Sequence, residues 1–80
     1  MNLQHPRMKR VSVPSSTLAA VAYSCQGSLL DLEFCDGSLY RFFEVPEDCF
    51  QQFMASDSKG RYFNNNIRNR FRYQQLARDE

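Results

Sequence analysis

Two short alternating segments on either side of Asp36-Gly37 constrain this chain more than any other feature. Leu30, Leu32 and Phe34 alternate with Asp31 and Glu33, and beyond the turn Tyr40 and Phe42 flank Arg41. Strand side chains point to opposite faces with a period of two. The pattern therefore predicts antiparallel strands with one face toward a core and one toward water. Loop length sets their pairing. A two-residue Asp36-Gly37 turn pairs Phe34 with Leu39 and Leu32 with Arg41, leaving Tyr40 and Phe42 opposite Glu33 and Asp31. A three-residue loop, Cys35-Asp36-Gly37 with the glycine left-handed, sets Leu32 opposite Tyr40, Leu30 opposite Phe42 and Asp31 opposite Arg41. The second register matches apolar with apolar and charge with charge, so it is the one expected, with Tyr40 and Phe42 on the core side.

The remaining elements follow from this hairpin. Residues 18–25 read as a strand before it, with Val21, Tyr23 and Cys25 alternating against Ala20, Ala22 and Ser24, closed by Gln26-Gly27-Ser28. The strand at 39–45 stops at Pro46, which suits a helix's first turn, where Glu47 and Asp48 complement the positive end. Cys49, Phe50, Phe53 and Met54 make a core-facing stripe on a helix running to about Ala55. Asp57 or Ser58 can cap a second short helix from Lys59 to about Asn66, with Tyr62, Phe63 and Ile67 apolar. Residues 67–73 read two ways. As a strand they put Arg68, Arg70 and Arg72 on one face, opposite Ile67, Phe71 and Tyr73; as a helix they align Phe63, Ile67 and Phe71 and spread the arginines. Asn64-Asn65-Asn66 is poor helix interior, which favours the extended form.

The expected fold is thus α+β, a three-stranded antiparallel meander followed by two short helices (β-β-β-α-α), with a short C-terminal strand left open. Eighty residues hold one small domain. Seven Phe and four Tyr give it bulky core material. Residues 1–10 read as a flexible basic N-terminus, 11–74 as the domain and 75–80 as a tail.

Several function classes are disfavoured. No apolar run approaches the roughly 20 residues of a membrane span. The polar, basic residues 1–10 lack the apolar stretch of a secretory signal. Cys25, Cys35 and Cys49 form no CxxC pair and His5 is the sole histidine, so neither a metal nor another cofactor is expected. The cysteines read as buried free thiols of a cytoplasmic protein. Ser15-Ser16 has no base partner nearby and no GxSxG context, and Glu47-Asp48 reads as a helix-start pair, so no enzyme is expected.

In their order along the chain, several segments together resemble a known family. They are Val13-Pro14-Ser15-Ser16, Ala20-Val21-Ala22-Tyr23, Leu30-Asp31-Leu32-Glu33-Phe34, Asp36-Gly37, Tyr40-Arg41-Phe42 and Val45-Pro46, closing with Ser58-Lys59-Gly60-Arg61-Tyr62-Phe63-Asn64 and Ile67-Arg68. Covering roughly residues 11–73, they resemble the KTSC domain, a short module named for its occurrence at the C-terminus of some lysyl-tRNA synthetases. It also occurs alone in small bacterial proteins. The family's central Tyr-x-Tyr reads Tyr40-Arg41-Phe42 here, which keeps two rings and drops one hydroxyl donor. The family's function is not established; RNA binding is the role proposed for it.

Charge is unevenly spread, and that distribution points to the candidate site. The net charge of +1 divides into +3 over residues 1–10, −6 over 31–57 and +4 over 58–80. From 58 to 78 six cations stand without one carboxylate, interleaved with Tyr62, Phe63, Phe71 and Tyr73. Arginine forks grip phosphate oxygens, and exposed rings stack on unpaired bases. Lys59, Arg61, Tyr62, Asn65, Arg68, Arg70 and Arg72 are therefore candidate nucleic-acid contacts, with Asn64 beside them, Tyr62 stacking, and RNA, tRNA included, as the partner of a monomer. Tyr40 and Phe42 are also candidates for stacking, although the register makes them core. Two other readings stand beside this one. The arginines could pair with Asp31 and Glu33 or simply solubilise the fold, exposed pairs adding only about 0–1 kcal/mol each. Alternatively, a protein partner docks on the acidic strand face or adds a strand to an open sheet edge.

Overall fold

The computed structural model describes residues 10–77. The N-terminal segment read as flexible lies almost wholly outside them. One antiparallel sheet holds five strands in sequence order: β1 (Val11–Ser12), β2 (Leu18–Ser24), β3 (Leu29–Phe34), β4 (Leu39–Phe42) and β5 (Tyr73–Ala77). Between β4 and β5 come α1 (Glu47–Ala55), α2 (Lys59–Tyr62) and a π-helical turn, Phe63–Ile67, that continues α2.

The hairpin takes the three-residue register. Leu30 faces Phe42, Asp31 faces Arg41 and Leu32 faces Tyr40. Phe34 N donates to Ser38 O at 2.9 Å, closing the loop over Cys35, Asp36 and Gly37, and Gly37 has φ 93°. Asp36 steadies the turn, its Oδ1 accepting from Ser38 N at 2.9 Å and Ser38 Oγ at 2.6 Å.

The sheet has two strands more than the expected three. β1 is only two residues long, too short to show an alternation, and pairs Val11 with Val21. β5 lies beyond the arginine-rich stretch read as an extended end, and takes in three residues read as tail. Residues 67–71 follow the helical alternative instead: Arg70 N and Phe71 N both donate to Ile67 O, at 3.1 and 3.4 Å. That keeps Phe63, Ile67 and Phe71 toward the core and spreads the arginines. The asparagines widen the helix rather than ending it. Asn66 Nδ2 donates to Tyr62 O at 3.3 Å, and Arg68 N reaches back five residues to Phe63 O at 2.9 Å.

Other boundaries shift by a few residues for local reasons. β4 ends at Phe42 rather than Val45 because Glu44, at φ 58°, turns the chain. Pro46 stands at the N-cap of α1, just outside the first turn, which Glu47 and Asp48 occupy. Ser58 caps α2, its Oγ accepting from Arg61 N at 3.2 Å. Cys25 and Cys35 are exposed and Cys49 is half-buried; all three are free, so burial of the thiols is corrected for two of them. Cys25 falls in the turn after β2 and has no sheet face to occupy.

The core lies on the face of the sheet covered by α1 and the π-helical turn. Leu18, Val21, Leu30, Leu32, Phe42, Val45, Phe53, Phe63 and Ile67 are buried there. The α1 stripe behaves as its spacing implies, with Phe53 fully buried and Cys49, Phe50 and Met54 packed at its edges. Tyr23 stacks on Phe50 at 4.4 Å, and its hydroxyl donates to Val45 O at 2.6 Å. Burial, then the charge of Glu47, raises the Tyr23 pKa. On the opposite sheet face, Arg41 grips Asp31 through Nε–Oδ1 (2.8 Å) and Nη2–Oδ2 (2.9 Å), the two side chains only 10% and 11% exposed.

Candidate nucleic-acid interface

The sheet is not fully covered by helices, and an aromatic cleft opens where cover is missing. Phe34 from β3, Tyr40 and Phe42 from β4, Tyr73 from β5 and Phe63 from the π-helical turn line a cleft of about 520 Å³. Their rings form a closed circuit. Phe34 meets Tyr40 at 5.7 Å, Tyr40 meets Tyr73 at 5.6 Å, and Tyr73 meets Phe42 at 5.5 Å. Phe42 then meets Phe63 at 5.6 Å, and Phe63 returns to Phe34 at 5.4 Å. Edge and tilted contacts at these distances are mutually favourable, so the five rings brace one another. Phe42 and Phe63 are buried, Phe34 and Tyr40 are half-buried, and Tyr73 is 55% exposed. Thr17, Asp36, Ser38, Asn64, Arg68 and Asn69 supply polar groups around this aromatic floor.

A second, polar cleft of similar size, about 520 Å³, adjoins it. The loop at residues 14–17 forms one side, and residues 57–61 with Asn64 and Asn65 form the other. The loop is pinned from within: Ser15 Oγ accepts from Thr17 N and Leu18 N, both at 3.1 Å, which gives that serine a structural role. Lys59 Nζ donates to Ser56 O at 2.8 Å. Gly60 brings the helix against the loop; a methyl group there would lie 3.3 Å from Thr17 Oγ1. Thr17 and Asn64 line both clefts.

The candidate residues distribute unevenly over this surface. Arg68, Tyr40 and Phe42 reach the aromatic cleft, and Lys59, Arg61 and Asn65 the polar one. Tyr62 reaches neither. It packs toward α1, its ring 5.9 Å from Phe53 and its hydroxyl donating to Gln52 Oε1 at 3.3 Å, with Cys49 Sγ 3.8 Å away. Burial, followed by the neighbouring thiol, raises its pKa. Arg70 and Arg72 line neither cleft; Arg72 lies over the Phe43 ring at 4.9 Å, a cation–π contact. Arg41 points to the far face and is committed to Asp31.

The carboxylates of β3 are engaged elsewhere. Asp31 binds Arg41 and Glu33 binds Arg10 at 3.1 Å, so these carboxylates do not hold the C-terminal arginines. Among the described residues no ion pair engages Arg61, Arg68, Arg70 or Arg72. Sequence reasoning missed Asn69, Thr17 and Ser38. Asn64 lies in the π-helical turn and Asn69 in the turn that follows it, and no residue pattern announces that both reach one cleft. No helix among the described residues is long and apolar enough to cross a membrane.

Comparison with known proteins agrees with this description. The pattern of the KTSC domain family matches residues 14–71. The chain is similar to an uncharacterized protein of Stutzerimonas stutzeri, 42% identical over 57 residues, which is 71% of this chain and 80% of that one. It is also similar to a lysine–tRNA ligase of Nostoc sp., 37% identical over 62 residues, covering 78% of this chain but 11% of the ligase. The crystal structure of a KTSC domain protein from Yersinia pestis matches with a TM-score of 0.86 at 31% identity, covering 89% of this chain and 100% of that one.

Proposed function

The chain belongs to the KTSC domain family, and from that membership and the cleft geometry we propose that it is a small RNA-binding module. It acts in the cytoplasm as a monomer, by binding rather than catalysis. One observation carries this reading: half-exposed rings and an arginine in no ion pair among the described residues converge on a single cleft large enough for a nucleotide. Tyr40 and Tyr73 offer faces for stacking, and Arg68 offers a fork for phosphate. Asn64 and Asn69 add amides able to hydrogen-bond base edges. A cleft of about 520 Å³ falls within the roughly 300–1,000 Å³ of small-ligand sites. Transfer RNA is the first ligand to test, because a similar segment lies within lysine–tRNA ligases.

Fluorescence anisotropy with tRNA and with single-stranded RNA, repeated across salt concentrations, tests the proposal. Affinity is expected to fall steeply with salt. Arg68→Ala should flatten the log–log slope by about 0.7–0.9, one phosphate contact. Tyr40→Leu keeps apolar bulk on the sheet and should cost about 1–3 kcal/mol of binding with the slope unchanged. No binding of either RNA at low salt refutes the proposal.

A second reading rests on β5, whose outer edge has no strand beside it among the described residues and which exposes Leu76 as well as Tyr73. Such an edge accepts an extended peptide by β-augmentation. The acidic strand face is less suited to a partner, since Asp31 and Glu33 are already in ion pairs. A partner captured from lysate and retained at high salt would favour the edge over RNA.

A further inference from the structure

Building on the RNA reading, we infer that the aromatic and polar clefts form one continuous footprint for consecutive nucleotides of an unpaired strand. A base occupies the aromatic cleft, and the backbone leaving it lays its phosphates along Lys59 and Arg61. The clefts meet at Thr17 and Asn64, which line both, so a chain leaving one enters the other directly. Their chemistry differs as the parts of a nucleotide differ. Five rings line the first, whereas the second has no aromatic side chain and is lined by hydroxyls, amides and two cations. Neither Arg61 nor Arg68 is in an ion pair among the described residues, so phosphate need not displace a carboxylate from them. Asp57 is the one carboxylate lining the polar cleft, where it opposes an anionic backbone.

This footprint selects against duplex. Bases inside a helix are stacked on each other and cannot enter a cleft walled by Tyr40 and Tyr73, whereas unpaired bases can be splayed onto rings. The ligand class is therefore single-stranded RNA of at least two nucleotides, and a mononucleotide fills only the aromatic half.

Hexauridylate and uridine 5′-monophosphate are the probes, the first followed by anisotropy and the second by amide shifts in NMR. The wild type should bind the hexamer more tightly than the mononucleotide, and more tightly than a blunt duplex of equal strand length. The double variant Lys59→Gln/Arg61→Gln should lose hexamer affinity, with a salt slope shallower by about 1.4, two single-strand phosphate contacts. Its mononucleotide shifts should stay at wild-type values, which also reports an intact fold. Asp57→Asn should bind the hexamer more tightly, a gain that structural damage does not produce. Wild-type hexamer affinity and slope in the double variant would overturn the shared footprint and leave RNA binding at the aromatic cleft standing. A wild-type protein that binds neither probe would overturn both.

Discussion

Arg41→Met is the substitution from which the structure yields the sharpest stability prediction. The guanidinium gives Asp31 two charge-assisted hydrogen bonds, at 2.8 and 2.9 Å, in a setting where both side chains are only about a tenth exposed. The same bonds raise the Arg41 pKa. Bonds of this kind are worth about 1.5–3 kcal/mol each. Removing one partner of a buried pair costs about 3–5 kcal/mol, because the other charge stays desolvated without compensation. Residual water access places the expected loss near the lower end, about 3 kcal/mol. At about 0.05–0.15 kcal/mol per residue, eighty residues have a total stability of about 4–12 kcal/mol, so the loss is a large fraction of it. Urea unfolding followed by circular dichroism should show a lower midpoint at constant m. Asp31→Leu/Arg41→Leu removes both charges from facing positions and should lie within about 1 kcal/mol of wild type. If each single substitution cost under about 1 kcal/mol and the two simply added, the pair would be behaving as a solvated surface bridge and the reasoning would fail.

Three further expectations concern stability. Tyr23→Phe loses the hydroxyl bond to Val45 O but keeps the stack on Phe50, and should cost about 1 kcal/mol by urea titration at neutral pH. Because the folded-state pKa of Tyr23 is raised above 10.0, its contribution is fully present below pH 10 and is lost as pH climbs through the folded value; the variant should therefore show a shallower alkaline decline. Gly37→Ala forces a Cβ into φ 93° in the β3–β4 loop and should lower stability by about 1–2 kcal/mol, whereas Glu44→Asn at φ 58° should leave stability unchanged or raise it, both read from thermal melts. Ser58→Ala removes the α2 cap and should cost about 1 kcal/mol in the same assay, with Ser58→Asp restoring most of it.

How much of this was legible beforehand depended on how local the deciding physics was. The β3–β4 register could be worked out because two candidate pairings differ in which charges and rings they oppose, and only one matches Asp31 with Arg41. The α1 stripe was readable because Phe50, Phe53 and Met54 recur at helical spacing. β5 was not, since Tyr-Gln-Gln-Leu-Ala has neither an alternation nor β-branched residues and is a strand because it pairs with β4. The arginine stretch was misread for a related reason. Poor helix formers at 64–66 argued for an extended chain, yet burial of Phe63 and Ile67 in one core held the segment helical, and the asparagines were absorbed as a π-helical turn. Of the candidate site, the cations at 59, 61 and 68 could be named from clustering alone. Their partition into two clefts could not, because it depends on how the loop at 14–17 meets Gly60.

The three residues Tyr40-Arg41-Phe42 show why a short motif can be specific without being a site. Alternation sends them to different places: Tyr40 half-exposed in the aromatic cleft, Arg41 to the far face in a buried ion pair, Phe42 into the core against Phe63 and Tyr73. Of the three, Tyr40 presents the more exposed ring to the cleft and Phe42 only its buried floor, 2% exposed, while Arg41 helps hold β4 against β3. The hydroxyl that the family's second tyrosine would carry falls at Phe42, a position 2% exposed, so its absence here bears on packing before it bears on binding. A loss of binding on changing Arg41 would therefore report a displaced strand. Because Tyr40 and Tyr73 sit on the strands that Arg41 and Phe42 secure, the stability and the binding of this domain are coupled through β4.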